Sequence, residues 1–467
     1  MIIEKGSNVV VLKKIVLIVM CGSFSTLMGE VQQQPSTLPA QQAAQAQIPP
    51  RSSEKLVVQP QAQIPPQSPS ESVAQAALVP EQAPVPEQEQ AAVPVQTDGA
   101  GYPLIPVVQH KQGLTEIPLC TSFSLQGDNI FVGELMQSAS KHFFKEMSAV
   151  LRKYEGAWFT LRDKGNNDQG TGKLAKMTAT MSPLVLGLVG TESFFSIERL
   201  LQEKKMALLF PTEGINSLRQ GQYENVIYFR PSYKKELEAL IDYTLNKRYK
   251  RKIAVLYEAS EWGEGIFTDL KDLLTQYGIE PVVWASFQQG TVEIGLALDR
   301  IAQAKRTPNA IFCLTQPRAA YTFVRNALNV GLHNALFIGL SNLNIVQSLI
   351  KTSLGIDIVV SSVVPNPQTS TIPLINEYKQ MAQGLLVSRA DSPYFLEAFI
   401  GQRLLVECLM RLQGPPTIEN IIQTLETFQN MDFLGLPIHF NNRERVLGHD
   451  VWINPGMTRP WVLGRAS

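Results

Sequence analysis

The chain is poor in the residues that build disulfide frameworks and metal centres. It has four cysteines and five histidines among 467 residues. Cys21, Cys120, Cys313 and Cys408 are too few and too scattered for a disulfide framework or a zinc site. We therefore expect no metal and no cofactor. Cys120 and Cys313 fall within apolar strand patterns and are predicted to be buried thiols.

An excess of charge of one sign is also missing. The 41 basic and 41 acidic residues give a net charge of zero, without the basic excess that nucleic-acid binding usually leaves. The sequence shows no GxGxxG after a strand, no P-loop and no GxSxG elbow. These absences predict that the protein is not an enzyme and has no nucleic-acid partner.

Residues 1–29 are typical of an export signal. Lys13 and Lys14 precede an apolar stretch that runs to Gly29, which is shorter than the ~20 residues a membrane span needs. Cleavage near Gly29 releases a soluble protein. Alternatively, the segment resembles a lipoprotein signal, in which Cys21 becomes the lipidated first residue. Both readings predict a periplasmic or other extracytoplasmic location.

Residues 30–104 are rich in Pro, Gln and Ala and contain short duplications, such as QAQIPP at 45–50 and 61–66. Such a composition offers too little apolar surface to offset the entropy of ordering, so a disordered linker with polyproline II bias is expected. A semi-rigid spacer of this kind holds a domain away from its anchor.

Residues 105–467 alternate apolar strand patterns with amphipathic helical patterns, which predicts an α/β fold with parallel sheets covered on both faces. One segment, residues 252–265, shows a strand, a short polar loop ending in Trp262-Gly263-Glu264-Gly265, and a helix from Gly265 to Tyr277. Loops that follow parallel strands line the crevice where open α/β sheets bind ligands. An aromatic residue there provides an apolar wall.

Several motifs occur in an order that resembles a known family. They are Gly133-Glu134-Leu135-Met136, residues 187–191 (GLVGT), residues 229–233 (FRPSY), residues 262–265 (WGEG) and Phe337-Ile338-Gly339. From about Ile117 to Trp461 the chain is similar to type 1 periplasmic binding proteins, and most closely to the branched-chain amino acid (Leu/Ile/Val) substrate-binding proteins of ABC transporters.

The resemblance implies two Rossmann-like lobes joined by three crossing segments, with a ligand captured between them by hinge closure. The first lobe would hold about 115–232 and 365–440. The second would hold about 233–363 and 441–467. The implied ligand-binding residues lie in the loops after the strands: Gln126, Thr191, Ser193, Thr212, Glu213, Trp262, Gln316 and Ser341.

Among these residues, Thr191 occupies the position at which the family places a hydroxyl on the ligand carboxylate, and Trp262 the position of a covering aromatic. Ser341 stands where amino-acid binders of the family carry an acidic residue for the ligand ammonium. A buried ammonium without a counter-charge is costly, although Glu213 or Glu192 could substitute. A ligand other than leucine, isoleucine or valine is therefore expected.

The resemblance implies a monomeric solute-binding protein that delivers an amino acid, amide or related small polar solute to an inner-membrane ABC permease. An alternative uses the same fold as an envelope sensory or regulatory lipoprotein that binds a partner protein. The long Pro/Gln linker favours this alternative somewhat. Ligand binding by the purified chain, or capture of a partner protein, separates the two hypotheses.

Overall fold

The computed structural model describes residues 103–105, 108–109, 115–125, 127–155, 157–163, 182–457 and 459–464. The predicted signal segment with Cys21, the linker up to residue 102, and Gln126 lie outside the described residues. Within the described part of the chain, no helix is both long and apolar enough to cross a membrane.

The first sheet has the strand order β1-β2-β4-β5-β6, and β3 pairs with β2. All of its pairings are parallel except β1 with β2. Its strands are β1 (Val108–Gln109), β2 (Thr115–Ser122), β3 (Ala157–Asp163), β4 (Leu184–Leu188), β5 (Ala207–Leu209) and β6 (Val226–Ile227).

The second sheet has the order β15-β14-β11-β10-β9-β7-β8. Strands β7 to β11 are parallel, and β14 and β15 are added antiparallel at one edge. Its strands are β7 (Ile253–Ala259), β8 (Val283–Gln288), β9 (Ala310–Leu314), β10 (Leu336–Gly339), β11 (Val359–Ser362), β14 (Trp452–Asn454) and β15 (Val462–Leu463). A separate hairpin pairs β12 (Met431–Phe433) with β13 (Leu436–Ile438).

Helices connect the strands and cover the sheets. They are α1 (Ile130–Glu155), α2 (Thr191–Gln202), α3 (Tyr233–Asp242), α4 (Glu261–Gln276), α5 (Gly295–Ala302), α6 (Pro317–Asn329), α7 (Asn344–Leu354), α8 (Pro373–Met381), α9 (Val387–Ala390), α10 (Pro393–Arg411) and α11 (Ile418–Glu426). Side chains of α8, α10 and α11 share one core with α1 and the first sheet, whereas α5 and α6 share another with the second sheet.

The chain therefore leaves the first sheet after β6, completes most of the second sheet, returns to the core of the first sheet through α8 to α11, and ends in β14 and β15 of the second sheet. Every residue of β4 and of β9 is buried. Continuous apolar strands of this kind are typical of parallel sheets covered on both faces.

The predicted α/β class with parallel sheets is confirmed. The residue bounds of the two lobes stay a prediction. Cys120 and Cys313 are buried thiols as predicted, and burial raises the pKa of Cys313 to about 12.

The prediction of a loop at Trp262 to Gly265 is wrong because α4 begins at Glu261. Ser260 caps this helix by accepting a hydrogen bond from the N–H of Gly263, at 3.1 Å.

Candidate functional site

A cavity of about 560 Å³ lies where loops after the strands of both sheets meet. The first sheet contributes residues 189–193 after β4, 212–213 after β5 and Arg230 after β6. The second contributes residues 260–262, Gln289, 316–317 and Asn342 after β7, β8, β9 and β10. Because the carboxyl ends of parallel strands meet at one edge of each sheet, loops that are distant in sequence converge here.

The structure brings most of the sequence-predicted site residues to this cavity. Gln126 lies outside the described residues, and Ser341 is not part of the described lining. The candidates that line the cavity are Thr191, Ser193, Thr212, Glu213, Trp262 and Gln316.

Thr191 and Glu213 form a buried pair on the wall contributed by the first sheet. The Thr191 hydroxyl donates to Glu213 Oε2 at 2.6 Å. The other oxygen of Glu213, Oε1, accepts from the backbone N–H groups of Gly214 and Ile215, both at 2.7 Å. The neighbouring Thr212 hydroxyl donates to the backbone oxygen of Leu188 at 2.9 Å. The hydroxyls of both threonines are therefore engaged within the protein.

Arg230 forms a buried charge network behind the same wall. Its NH2 group donates to Ser341 Oγ at 2.6 Å, and its guanidinium lies 3.4 Å from Glu397 and 3.6 Å from Glu236. Glu236 also accepts from the backbone N–H and hydroxyl of Ser341 and from the hydroxyl of Ser361. The network thus links residues that follow β6 with residues at the ends of β10 and β11.

The charges in this network are held away from water. Arg230 is 2% exposed and Glu236 is fully buried. Burial lowers the pKa of Arg230, but the adjacent carboxylates, Glu397 first among them, outweigh it and raise that pKa overall. Burial raises the pKa of Glu397, and the Arg230 charge offsets only part of this effect. The guanidinium remains charged, as a buried ion pair requires.

Ser341 belongs to this network. The resemblance assigned it to the ligand, yet its hydroxyl and backbone N–H contact Glu236 and its oxygen accepts from Arg230. Its neighbour Asn342 lines the cavity instead. A ligand contact by Ser341 stays a prediction.

Aromatic rings form part of the cavity wall. Trp262, in the first turn of α4, packs edge-to-face against Tyr233, with 6.1 Å between ring centroids and an interplanar angle of 87°. Tyr233 begins α3 and is fixed by its backbone N–H, which donates to the oxygen of Gly214 at 2.7 Å. Tyr394, from the buried helix α10, adds a third ring.

Sequence reasoning missed several lining residues. Arg230 and Tyr233 lie within the FRPSY motif that carried the family resemblance, so the motif itself marked them. Gln289 follows β8 and donates to Glu192 Oε1 at 2.7 Å, joining the two walls at the mouth of the cavity. Tyr394 has no local sequence signal because it lies in an almost entirely buried helix far along the chain, where every side chain but the first and last is buried.

The site shows no arrangement for metal binding. Over the described residues, no three His, Cys, Asp or Glu side chains are grouped so that they could hold a metal ion. Two of the lining carboxylates are instead engaged within the protein: Glu213 accepts from the Thr191 hydroxyl and from backbone N–H groups, and Glu192 accepts from the Gln289 amide.

A family model described as "Periplasmic binding protein" matches residues 158–454. The Leu/Ile/Val-binding protein homolog 3 of Brucella melitensis biotype 1 is 23% identical over 142 residues, which are 30% of this chain and 39% of that relative. The match therefore spans well under half the length of this curated relative.

Solved structures extend the similarity over the whole fold. A possible leucine/isoleucine/valine-binding protein from Rhodopirellula baltica SH 1 is 20% identical, with a TM-score of 0.66 over 75% of this chain and 96% of that one. A branched chain amino acid ABC transporter structure from Thermus thermophilus, with bound valine, is 17% identical, with a TM-score of 0.62 over 75% and 95%. At these identities the similarity establishes the fold.

Proposed function

Because the chain belongs to the periplasmic binding protein family, we propose that it binds an amino acid or a related small polar solute in the cavity between its two sheets. Membership confirms the family that the ordered motifs indicated. The observation that carries the proposal is the cavity of about 560 Å³ itself, because loops from the carboxyl ends of both sheets form its walls. A volume of this size suits a small molecule.

The walls combine the two kinds of surface that small-solute sites need. Trp262 and Tyr233 supply apolar ring area, while Glu213, Gln316 and Asn342 supply polar groups. A few placed polar groups fix a ligand's orientation, and apolar walls provide most of the contact area. Because the two walls belong to different sheets, a hinge movement of one sheet relative to the other would close the cavity around the ligand.

The proposed role places the protein outside the cytoplasm, where it would pass its solute to an ABC permease of the inner membrane. Two of the relatives described above are named for Leu/Ile/Val binding, and the branched chain amino acid ABC transporter structure holds valine. Anchoring through Cys21 and the linker is part of the proposal. It would keep the binding domain near the membrane.

Isothermal titration of the purified full chain against amino acids, amines, amides and small organic acids tests this function. We expect one chemical class to bind with one solute per chain. If no member of the panel binds, solute capture is refuted. Capture of an envelope protein other than a permease would then favour the sensory or regulatory alternative.

A further inference from the structure

The charged side chains around the cavity are mainly acidic. Among the described lining residues, the charged groups are the guanidinium of Arg230 and four carboxylates: Glu192, Glu213, Glu258 and Glu261. Arg230 is itself flanked by two further buried carboxylates. The balance of fixed charge around the cavity is therefore negative.

The hydroxyls of the two threonines that line the cavity already donate within the protein. The Thr191 hydroxyl, which the family resemblance assigns to that carboxylate, donates to Glu213 at 2.6 Å. The Thr212 hydroxyl donates to a backbone oxygen. A carboxylate placed beside Thr191 would also face the charge of Glu213, and like charges at close range in a buried site repel strongly.

One lining acceptor has no partner. Asn342 Oδ1 is buried and has no hydrogen bond within the described part of the chain. The orientation of the Asn342 amide is set by a hydrogen bond from its Nδ2 to the backbone oxygen of Thr315, at 2.9 Å. A buried acceptor left unpaired costs free energy, and a ligand N–H or O–H that reached it would remove that cost.

One unpaired polar group at the cavity is a donor instead of an acceptor. Arg230 Nε also has no hydrogen bond. However, it lies 3.4 Å from Glu397 Oε1, so a carboxylate of the protein already compensates its charge. It does not call for an anionic ligand group.

From these contacts we propose that the solute is a small organic cation, an amine or amidine without a carboxylate at the Thr191 end of the cavity. This inference rests on the proposed solute-binding function. The cationic head would donate to Asn342 Oδ1 and to the lining carboxylates, beside the Trp262 ring. Aromatic rings attract cations through their quadrupole.

Two matched pairs of probes test the charge assignment on the full chain. Isopentylamine is leucine without its carboxylate, and agmatine is arginine without its carboxylate. We expect each amine to bind at least ~10-fold tighter than its parent amino acid in isothermal titration, because the carboxylate loses its hydration beside Glu213. Added salt should weaken amine binding, as expected for partly exposed charges.

Two variants on the same helix turn provide the control. Glu261 and Glu264 are both exposed in the first turn of α4, but only Glu261 is part of the described cavity lining. Glu261→Gln should weaken amine binding about two- to fivefold, the range for an exposed charge pair. Glu264→Gln should leave it unchanged.

The outcomes distinguish failure of the cationic assignment from failure of the proposed solute-binding function. If leucine or arginine binds as tightly as its matched amine or tighter, the cationic assignment is overturned while solute capture stands. Equal effects of the two glutamine variants also overturn it. If none of these probes binds but another member of the wider panel does, the cationic assignment is overturned and solute capture stands. If nothing in the wider panel binds, both fail.

Discussion

The start of α4 positions Trp262, and a single glycine there makes the position possible. Gly263 lies so close to the preceding strand end that an added Cβ would sit 2.0 Å from the backbone oxygen of Glu258 and 2.9 Å from its carbonyl carbon. Gly265, two residues further along the same helix, has no heavy atom within 4 Å of an added Cβ. Gly263→Ala and Gly265→Ala are therefore a matched pair.

The magnitudes follow from the space available. Separations below 3.0 Å are essentially never seen for real Cβ atoms, so the first turn in Gly263→Ala must move by roughly 1 Å against backbone. Overpacking of this kind costs about 1–3 kcal/mol. Alanine recovers up to ~1 kcal/mol as a better helix former. We expect a net loss of about 1–2 kcal/mol for Gly263→Ala and a gain of up to ~1 kcal/mol for Gly265→Ala.

Urea denaturation followed by tryptophan fluorescence and by far-UV circular dichroism measures both variants against the parent chain. Coincident transitions of the two probes establish whether a free energy of unfolding is defined for this two-sheet chain. Displacing the first turn also moves the Trp262 ring, so solute affinity should fall in Gly263→Ala and remain unchanged in Gly265→Ala. If the two variants are equally stable, the close approach of Gly263 to Glu258 is wrong.

Two substitutions and a change of pH test the cavity, the Arg230 ion-pair network and the buried tyrosines. Trp262→Ala should weaken solute binding about tenfold if the ring contacts a cationic solute; unchanged affinity with a lower melting temperature would assign the ring to packing alone. Arg230→Met should cost about 3–5 kcal/mol because its two carboxylate partners remain buried and unpaired, and urea denaturation showing a loss below ~1 kcal/mol would contradict the network. Burial raises the pKa of Tyr233 and Tyr394 above the ordinary 10.0. Above pH 10 the unfolded chain then releases protons that the folded chain keeps, so stability should fall by about 1.4 kcal/mol per pH unit per tyrosine; unfolding curves at pH 9, 10 and 11 that coincide would refute this.

The sequence alone determined the alternation of strands and helices, and also the edge of the sheets at which the site lies. Apolar strands such as β4 and β9 and amphipathic helices are local patterns, so periodicity identified them. Loops after strands were expected to converge, and Thr191, Glu213 and Trp262 do line one cavity. These predictions depend on chain direction and on the rule that parallel strands end at one edge.

Tertiary structure decided which side chain of each loop faces the cavity. After β10, a short 3-10 turn over Ser341–Leu343 directs Asn342 to the lining and leaves Ser341 in the buried network with Arg230. Adjacent residues in a turn point in different directions, and composition does not reveal which. The partners that occupy the Thr191 hydroxyl and flank Arg230 come from other loops and helices, Glu213 and Glu397 among them. Only packing of the two sheets and α10 brings those charges together, and with them the acidic character of the cavity.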